Sequence, residues 1–315
     1  MLTDTYKKFQ RTPKKNLFLR FVRGSLNPWL INMTAPADYS PQRSVVLLGD
    51  PRSGTTWLAE LLCTVPGSAL LFEPLYFPRV KAARDANIDW HTFYRSDEPW
   101  PQGKAFFEQV LTGQILTHWT TSFTPIPKAL HPQRWVIKMI RANLLLGWLL
   151  HNFPYIKPIL IIRHPCATIL SKRQQGWPPL TYPPRLRKVE QAFPHLRDIR
   201  KSLRHPIEFE TFLWCISYFV ALSAEPQERY LLVHFEQLVR NGDEELQRIF
   251  SFLQIDMPEN SLTRLNRRSQ MTKKDSPLYQ DGDPLKRWQE KMAKRDIDMV
   301  LNIVTKFGLE SYIDN

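Results

Sequence analysis

An apolar run, Val45-Val46-Leu47-Leu48, leads into Gly49-Asp50-Pro51-Arg52-Ser53-Gly54-Thr55-Thr56-Trp57, and an apolar-periodic stretch, Leu58, Leu61, Leu62 and Val65, follows. In chain order this is a strand, a glycine-bearing turn and a helix. Backbone N–H groups at such a turn point outward, and the N-terminus of the helix carries partial positive charge. That combination binds phosphate.

The two glycines have the spacing of a P-loop, G-x-x-x-x-G-K-[ST], except that Thr55 stands where the loop lysine belongs. The nearest cation is Arg52, inside the loop. A phosphate loop without its lysine points to chemistry other than ATP hydrolysis.

The rest of the chain repeats the alternation. Apolar runs predict strands over 44–49, 69–72, 134–138, 158–163 and 230–234. Helical periodicity falls between and after them, over 55–65, 104–117, 142–152, 167–174, 209–222, 244–253 and 296–307. Short apolar strands alternating with helices predict an α/β fold: a central parallel β-sheet flanked by helices on both faces, of the P-loop nucleotide-binding type. Three stretches resist the pattern, 77–100, 175–206 and 264–283. Long irregular segments of this kind are usually binding loops or lids. The expected organisation is a basic N-terminal arm (1–40) and one domain (41–315). Within that domain, substrate loops are expected near 77–130 and 175–206 and a nucleotide lid near 264–288.

Charge supports an anionic ligand. The 315 residues hold 43 Lys and Arg against 30 Asp and Glu, a formal net charge of +13. Residues 163–205 carry ten of the basic residues against two acidic ones, and residues 264–295 carry ten against four. Cys63, Cys166 and Cys215 are odd in number and widely spaced, which fits buried free thiols in a reducing compartment. The basic N-terminus (Lys7, Lys8, Arg11, Lys14, Lys15) has no apolar signal region after it, and the apolar segment 212–224 is too short to span a bilayer. The expected location is cytoplasmic, with Leu17, Phe18, Phe21 and Trp29 available for peripheral membrane contact.

A second anchor is Arg163-His164-Pro165 through Ser171-Lys172-Arg173, with Ser171 on the following helix where its hydroxyl could meet the same anion as Arg163. Arg163 ends a predicted buried strand, where ligands of doubly wound sheets bind, and Pro165 suits the first turn of a helix. Arginine offers a planar fork for phosphate. A magnesium-dependent P-loop hydrolase usually places an acid at such a strand end. The missing lysine and the basic strand end agree, and together they suggest a phosphate site that uses no metal.

On these residues the chain resembles sulfotransferases that use 3′-phosphoadenosine 5′-phosphosulfate (PAPS). Pro51 to Trp57 looks like their 5′-phosphosulfate loop, and Arg163 to Ser171 like their 3′-phosphate motif. The segment 230–238 resembles a later strand and acidic motif, with His234-Phe235 in place of a more usual Arg/Tyr pair. The resemblance spans about 44–288 and implies that Arg52, Ser53, Gly54, Thr55 and Thr56 bind the 5′-phosphosulfate and that Arg163 and Ser171 bind the 3′-phosphate. Trp57 falls either near the adenine or in the core. Arg267, Arg268 and Ser269 fall where the family often closes a late loop over the nucleotide, with Arg287-Trp288 in support. Phe72-Glu73-Pro74 resembles a segment of the carbohydrate branch, which makes Glu73 the candidate base and Arg52 the stabiliser of the leaving phosphate. Pairing of Glu73 with Arg52 or Arg141 is the competing role.

The implied reaction moves a sulfuryl group from PAPS to a hydroxyl of a glycan, glycolipid or carbohydrate-bearing metabolite. The aryl and steroid branch uses a histidine base, for which His91, His118 and His131 are the candidates. Lys138 and Arg141 follow another strand end, and Trp90, Tyr94, Trp100, Trp119, Trp177 and Tyr182 are available to stack on an acceptor. A P-loop kinase or NTPase and a basic nucleic-acid-binding protein remain as alternatives. Thr55 and Arg163 disfavour the first, and the lack of a recognition motif disfavours the second. No metal is expected.

Overall fold

The computed structural model describes residues 39–125, 128–129, 131–177, 186–265, 283 and 285–313. Most of the basic arm, Tyr182, Arg267, Arg268 and Ser269 lie outside the described residues. Five strands form one sheet: β1 (Val45–Gly49), β2 (Ser68–Phe72), β3 (Arg134–Met139), β4 (Pro158–Ile162) and β5 (Leu231–His234). Their order is β2-β3-β1-β4-β5, and every pairing is parallel. Leu47 of β1 lies opposite Lys138 on one side and Ile159 on the other.

The first four strands are apolar on both faces because both faces are covered. Val45 and Leu47 join one core with α1 (Thr55–Leu62), α9 (Phe235–Arg240) and α10 (Gly242–Leu253), through Leu58, Leu238 and Ile249. Val46 and Leu48 point the other way. They meet α3 (Pro101–Leu111), α4 (Leu146–Asn152), α5 (Pro165–Gln174), α8 (Pro206–Leu222) and α13 (Lys294–Lys306), through Phe107, Leu149, Ile169, Trp214 and Ile303. Two helical layers on a parallel sheet follow from the alternation of elements in the sequence.

All five expected strands are present. The helices differ in ways with local causes. The stretch expected over 104–117 begins earlier, at Pro101, whose fixed φ suits a first turn, and ends at Leu111, before Gly113 at φ 71°. The one expected over 142–152 splits into a 3₁₀ turn (Asn143–Leu145) and α4. The irregular stretches hold short helices that were not expected: α2 (Lys81–Asp85), α6 (Leu186–Ala192) and α7 (Leu196–Ser202). Each has five to seven residues and buries one to three of them, too few for periodicity to register. Further short helices are α9, α11 (Asn260–Leu265) and α12 (Arg287–Lys291).

β1 is central: the chain runs from it to the edge strand β2, returns to β3 beside it, and then crosses to β4 on the other side. Ligands of such sheets bind outside the carboxyl ends at this reversal. The loop after β1, Arg163 after β4, Lys138 and Arg141 at the end of β3, and Glu73 after β2 all lie on that edge.

Candidate functional site

β1 ends at Gly49, where a Cβ would lie 2.8 Å from the carbonyl oxygen of Ile161. The turn then folds on itself: Ser53 donates to the Asp50 carbonyl from its N–H (3.1 Å) and from its hydroxyl (2.6 Å). Arg52 and Gly54 have φ of 76° and 94°, in the left-handed region. A Cβ on Gly54 would meet the Phe235 ring at 2.5 Å, so the closeness of α9 also requires glycine there. No side chain caps α1 at Gly54. The first N–H groups of that helix therefore have no capping side chain, which suits an anion. Thr55 is buried, while Thr56 and Trp57 are half-buried, and Trp57 meets Phe235 edge-on at 5.8 Å.

The two sequence anchors meet. Arg52 Nε donates to Ser171 Oγ at 3.0 Å across 119 residues, and Arg163 Nη1 donates to the Arg52 carbonyl at 3.1 Å. The Arg163 guanidinium lies 4.3 Å from the Phe235 ring centroid, and its buried Nε has no partner among the described residues. Burial lowers Arg163 to about 10, against the pull of Glu236 and with the push of Arg52, so it stays charged at neutral pH. Lys172, one residue beyond Ser171, pairs with Asp50 of the loop. Tyr218 Oη accepts from the Asp50 N–H (3.0 Å) and donates to the Ile161 carbonyl (2.9 Å). Lys172 lies within the second anchor read from sequence, though it had no role of its own there; Tyr218 was not singled out.

His164 is held on three sides. Its N–H donates to Glu236 Oε1 (3.0 Å), its Nδ1 accepts from the Cys166 N–H (3.2 Å), and its ring stacks on Trp288 at 4.1 Å and 12°. Burial, then the charge of Arg163, lowers the imidazole to about 4. Trp288 belongs to α12, a short helix separate from α13, and α13 matches the terminal helix expected over 296–307.

On the other side of the loop stands Glu73, 8% exposed and at φ 43°. Its Oε1 accepts from Lys138 Nζ at 2.6 Å and its Oε2 from Arg141 Nη1 at 3.3 Å. Burial raises the carboxyl pKa, but Lys138 and Arg141 together outweigh it and hold Glu73 below the usual carboxylate range. Of the two pairings considered from sequence, the one with Arg141 is present, and Lys138 adds a shorter one.

Aromatic rings surround these cations. Arg141 lies 4.8 Å from the Tyr76 ring and 4.4 Å from Trp90; Lys138 lies 4.4 Å from Phe72, and Arg79 lies 4.8 Å from Trp119. Tyr94 and Trp100 instead stack on each other at 4.2 Å, with Trp100 packed on Trp148, so they anchor the core. His91 follows Trp90. Burial lowers it to about 4, with Asp89 opposing and Lys172 and Arg141 adding to the effect, and its buried Nδ1 has no partner among the described residues.

The chain matches a model of the sulfotransferase family over residues 44–259. Among solved structures it is similar to the sulfotransferase domain of the Synechococcus PCC 7002 olefin synthase, at 21% identity over 86% of this chain and 97% of that one, TM-score 0.45. A mouse sulfotransferase complexed with PAP is similar at 14% identity over 90% of each chain, TM-score 0.45. A sulfotransferase from Mycobacterium tuberculosis is similar at 13% identity over 93% of this chain and 85% of that one, TM-score 0.46. No curated protein matches.

Proposed function

The chain belongs to the sulfotransferase family, and we propose that it takes its sulfuryl group from PAPS and places it on a hydroxyl of a carbohydrate-bearing acceptor. The observation that supports this reading most is the meeting of the two anchors, Arg52 on Ser171 and Arg163 on the Arg52 carbonyl. A nucleotide with phosphate at both its 5′ and 3′ positions needs two such anchors on one edge of the sheet.

The residues fit that group. The uncapped start of α1 and the glycine forced by Phe235 leave backbone N–H groups for a phosphosulfate. The unpartnered Arg163 Nε is a buried donor suited to a 3′-phosphate. PAPS, when bound, supplies a sulfuryl group that passes to the acceptor oxygen as its bond to the 5′-phosphate oxygen breaks. Arg52 stabilises the negative charge left on that phosphate, because a guanidinium keeps its proton at working pH.

Glu73 takes the acceptor proton in this reading. Lys138 and Arg141 keep the carboxylate ionised and hence free to accept, at the cost of some basicity. A positioned base contributes about 10²–10⁴-fold. A second reading gives the proton to His91, because burial keeps its imidazole neutral and its Nδ1 has no partner among the described residues. Transfer of labelled sulfate from PAPS into hydroxyl acceptors, compared for wild type, Glu73→Gln and His91→Gln, tests both. The proposed base is the one whose loss stops transfer while PAP still binds. If no acceptor is labelled and PAP does not bind, the donor assignment is wrong.

A further inference from the structure

Glu73 and Lys138 neutralise each other at 2.6 Å, but the charges beside them are not balanced in the same way. Arg141 shares Glu73 through one Nη1 at 3.3 Å. Its side chain is only 9% exposed, and its buried Nε has no partner among the described residues. Arg79 is exposed and its guanidinium rests on the Trp119 ring, with no carboxylate paired to it among the described residues. Trp119 Nε1 is a second buried donor without a partner among the described residues. These groups form one patch, because Arg141 and Trp119 both lie against the Tyr76 ring, at 4.8 and 4.7 Å.

A guanidinium resting on an aromatic face keeps its in-plane N–H groups for bonding, and it is more weakly hydrated than an ammonium. A neutral sugar would cover the rings yet leave the charge of Arg79 and the buried donor of Arg141 uncompensated. An anion answers both, since buried donors without partners are costly and charge-assisted bonds are the strong ones.

We infer that the acceptor carries an anionic group, a carboxylate, sulfate or phosphate, near its reacting hydroxyl, and that Arg141, Trp119 Nε1 and Arg79 take that group. The inference rests on the sulfuryl-transfer reading and narrows it to anionic hydroxyl compounds.

The test titrates PAP-saturated protein with pairs that differ in the anion: para-nitrophenyl glucuronide against para-nitrophenyl glucoside, and para-hydroxyphenylacetate against para-hydroxyphenylethanol. The anionic member is expected to bind about tenfold tighter or more, the scale of a hydrogen bond to a charged group. Arg79→Ala, at an exposed position outside the core, is expected to cut that preference about threefold or more and Trp119→Phe to cut it similarly, with PAP affinity unchanged in both. Equal binding of both members, or binding of neither, in protein that holds PAP overturns the inference alone. Failure of the wild type to hold PAP overturns the donor reading instead.

Discussion

Replacing Glu73 with glutamine keeps the side-chain shape and removes one charge from a buried triad. Lys138 and Arg141 are 4% and 9% exposed at the side chain and lose the carboxylate they share. Removing one partner of a buried ion pair costs about 3–5 kcal/mol, because the remaining charge is left uncompensated. At about 2–4 °C per kcal/mol for a chain of this size or a little smaller, the melting temperature is expected to fall by at least about 6 °C. Turnover is expected to fall about 10²–10⁴-fold. Lys138→Met, added to Glu73→Gln, separates the two effects. It removes an unpaired buried cation, so the double variant is expected to melt above Glu73→Gln while turnover stays low. The pH dependence supplies a further check. Glu73 has its pKa depressed on folding, so its contribution is complete above the ordinary value of 4.5 and lost as pH falls through the lower folded value. The difference in melting temperature between wild type and Glu73→Gln should therefore shrink below pH 4.5. Scanning fluorimetry and labelled-sulfate transfer measure both quantities. A Glu73→Gln protein that melts with the wild type refutes the ion-pair energetics. Recovery of turnover in the double variant refutes Glu73 as the base.

Arg163→Ala is expected to weaken PAP binding by about 1.5–3 kcal/mol, roughly 10–150-fold, by calorimetry; an unchanged affinity removes Arg163 from the site. Gly54→Ala places a Cβ 2.5 Å from the Phe235 ring at a φ of 94°, and is expected to abolish PAP binding, so wild-type affinity would show that the turn does not hold the nucleotide. Trp288→Ala uncovers His164, whose imidazole should then titrate above about 4, toward its ordinary 6.5, by NMR. Because the folded wild type binds fewer protons than the unfolded chain between those values, its stability rises with pH across that window, and the slope should be shallower in Trp288→Ala. An unshifted His164 would mean that the stack does not set its environment.

The sheet was legible because its strands are short apolar runs buried on both faces, and Ile159 to Ile162 can be read as little else. The loop was legible because Gly49 and Gly54 are fixed by backbone geometry and close contact, which leave a sequence signature. The meeting of Arg52 with Ser171 could be anticipated only from the shared carboxyl edge of the sheet and from the resemblance, since no local pattern links positions 119 residues apart. Arg79, Tyr76 and Tyr218 left no signal. Their roles depend on which side chains the topology brings beside them, and an arginine resting on a tryptophan reads in sequence as any surface arginine. Tyr94 and Trp100 show the converse, aromatic residues of an irregular stretch that pack on each other.

The central claim is that this edge of the sheet holds a nucleotide bearing a 3′-phosphate as well as a 5′ one. Calorimetric titration of the full chain with PAP and with adenosine 5′-phosphate, in magnesium-free buffer, tests it most directly. The account expects one PAP per chain, bound about tenfold or more tighter than adenosine 5′-phosphate, with the preference lost in Arg163→Ala. Equal affinity for the two nucleotides, or binding of ATP alone and only with magnesium, would contradict it.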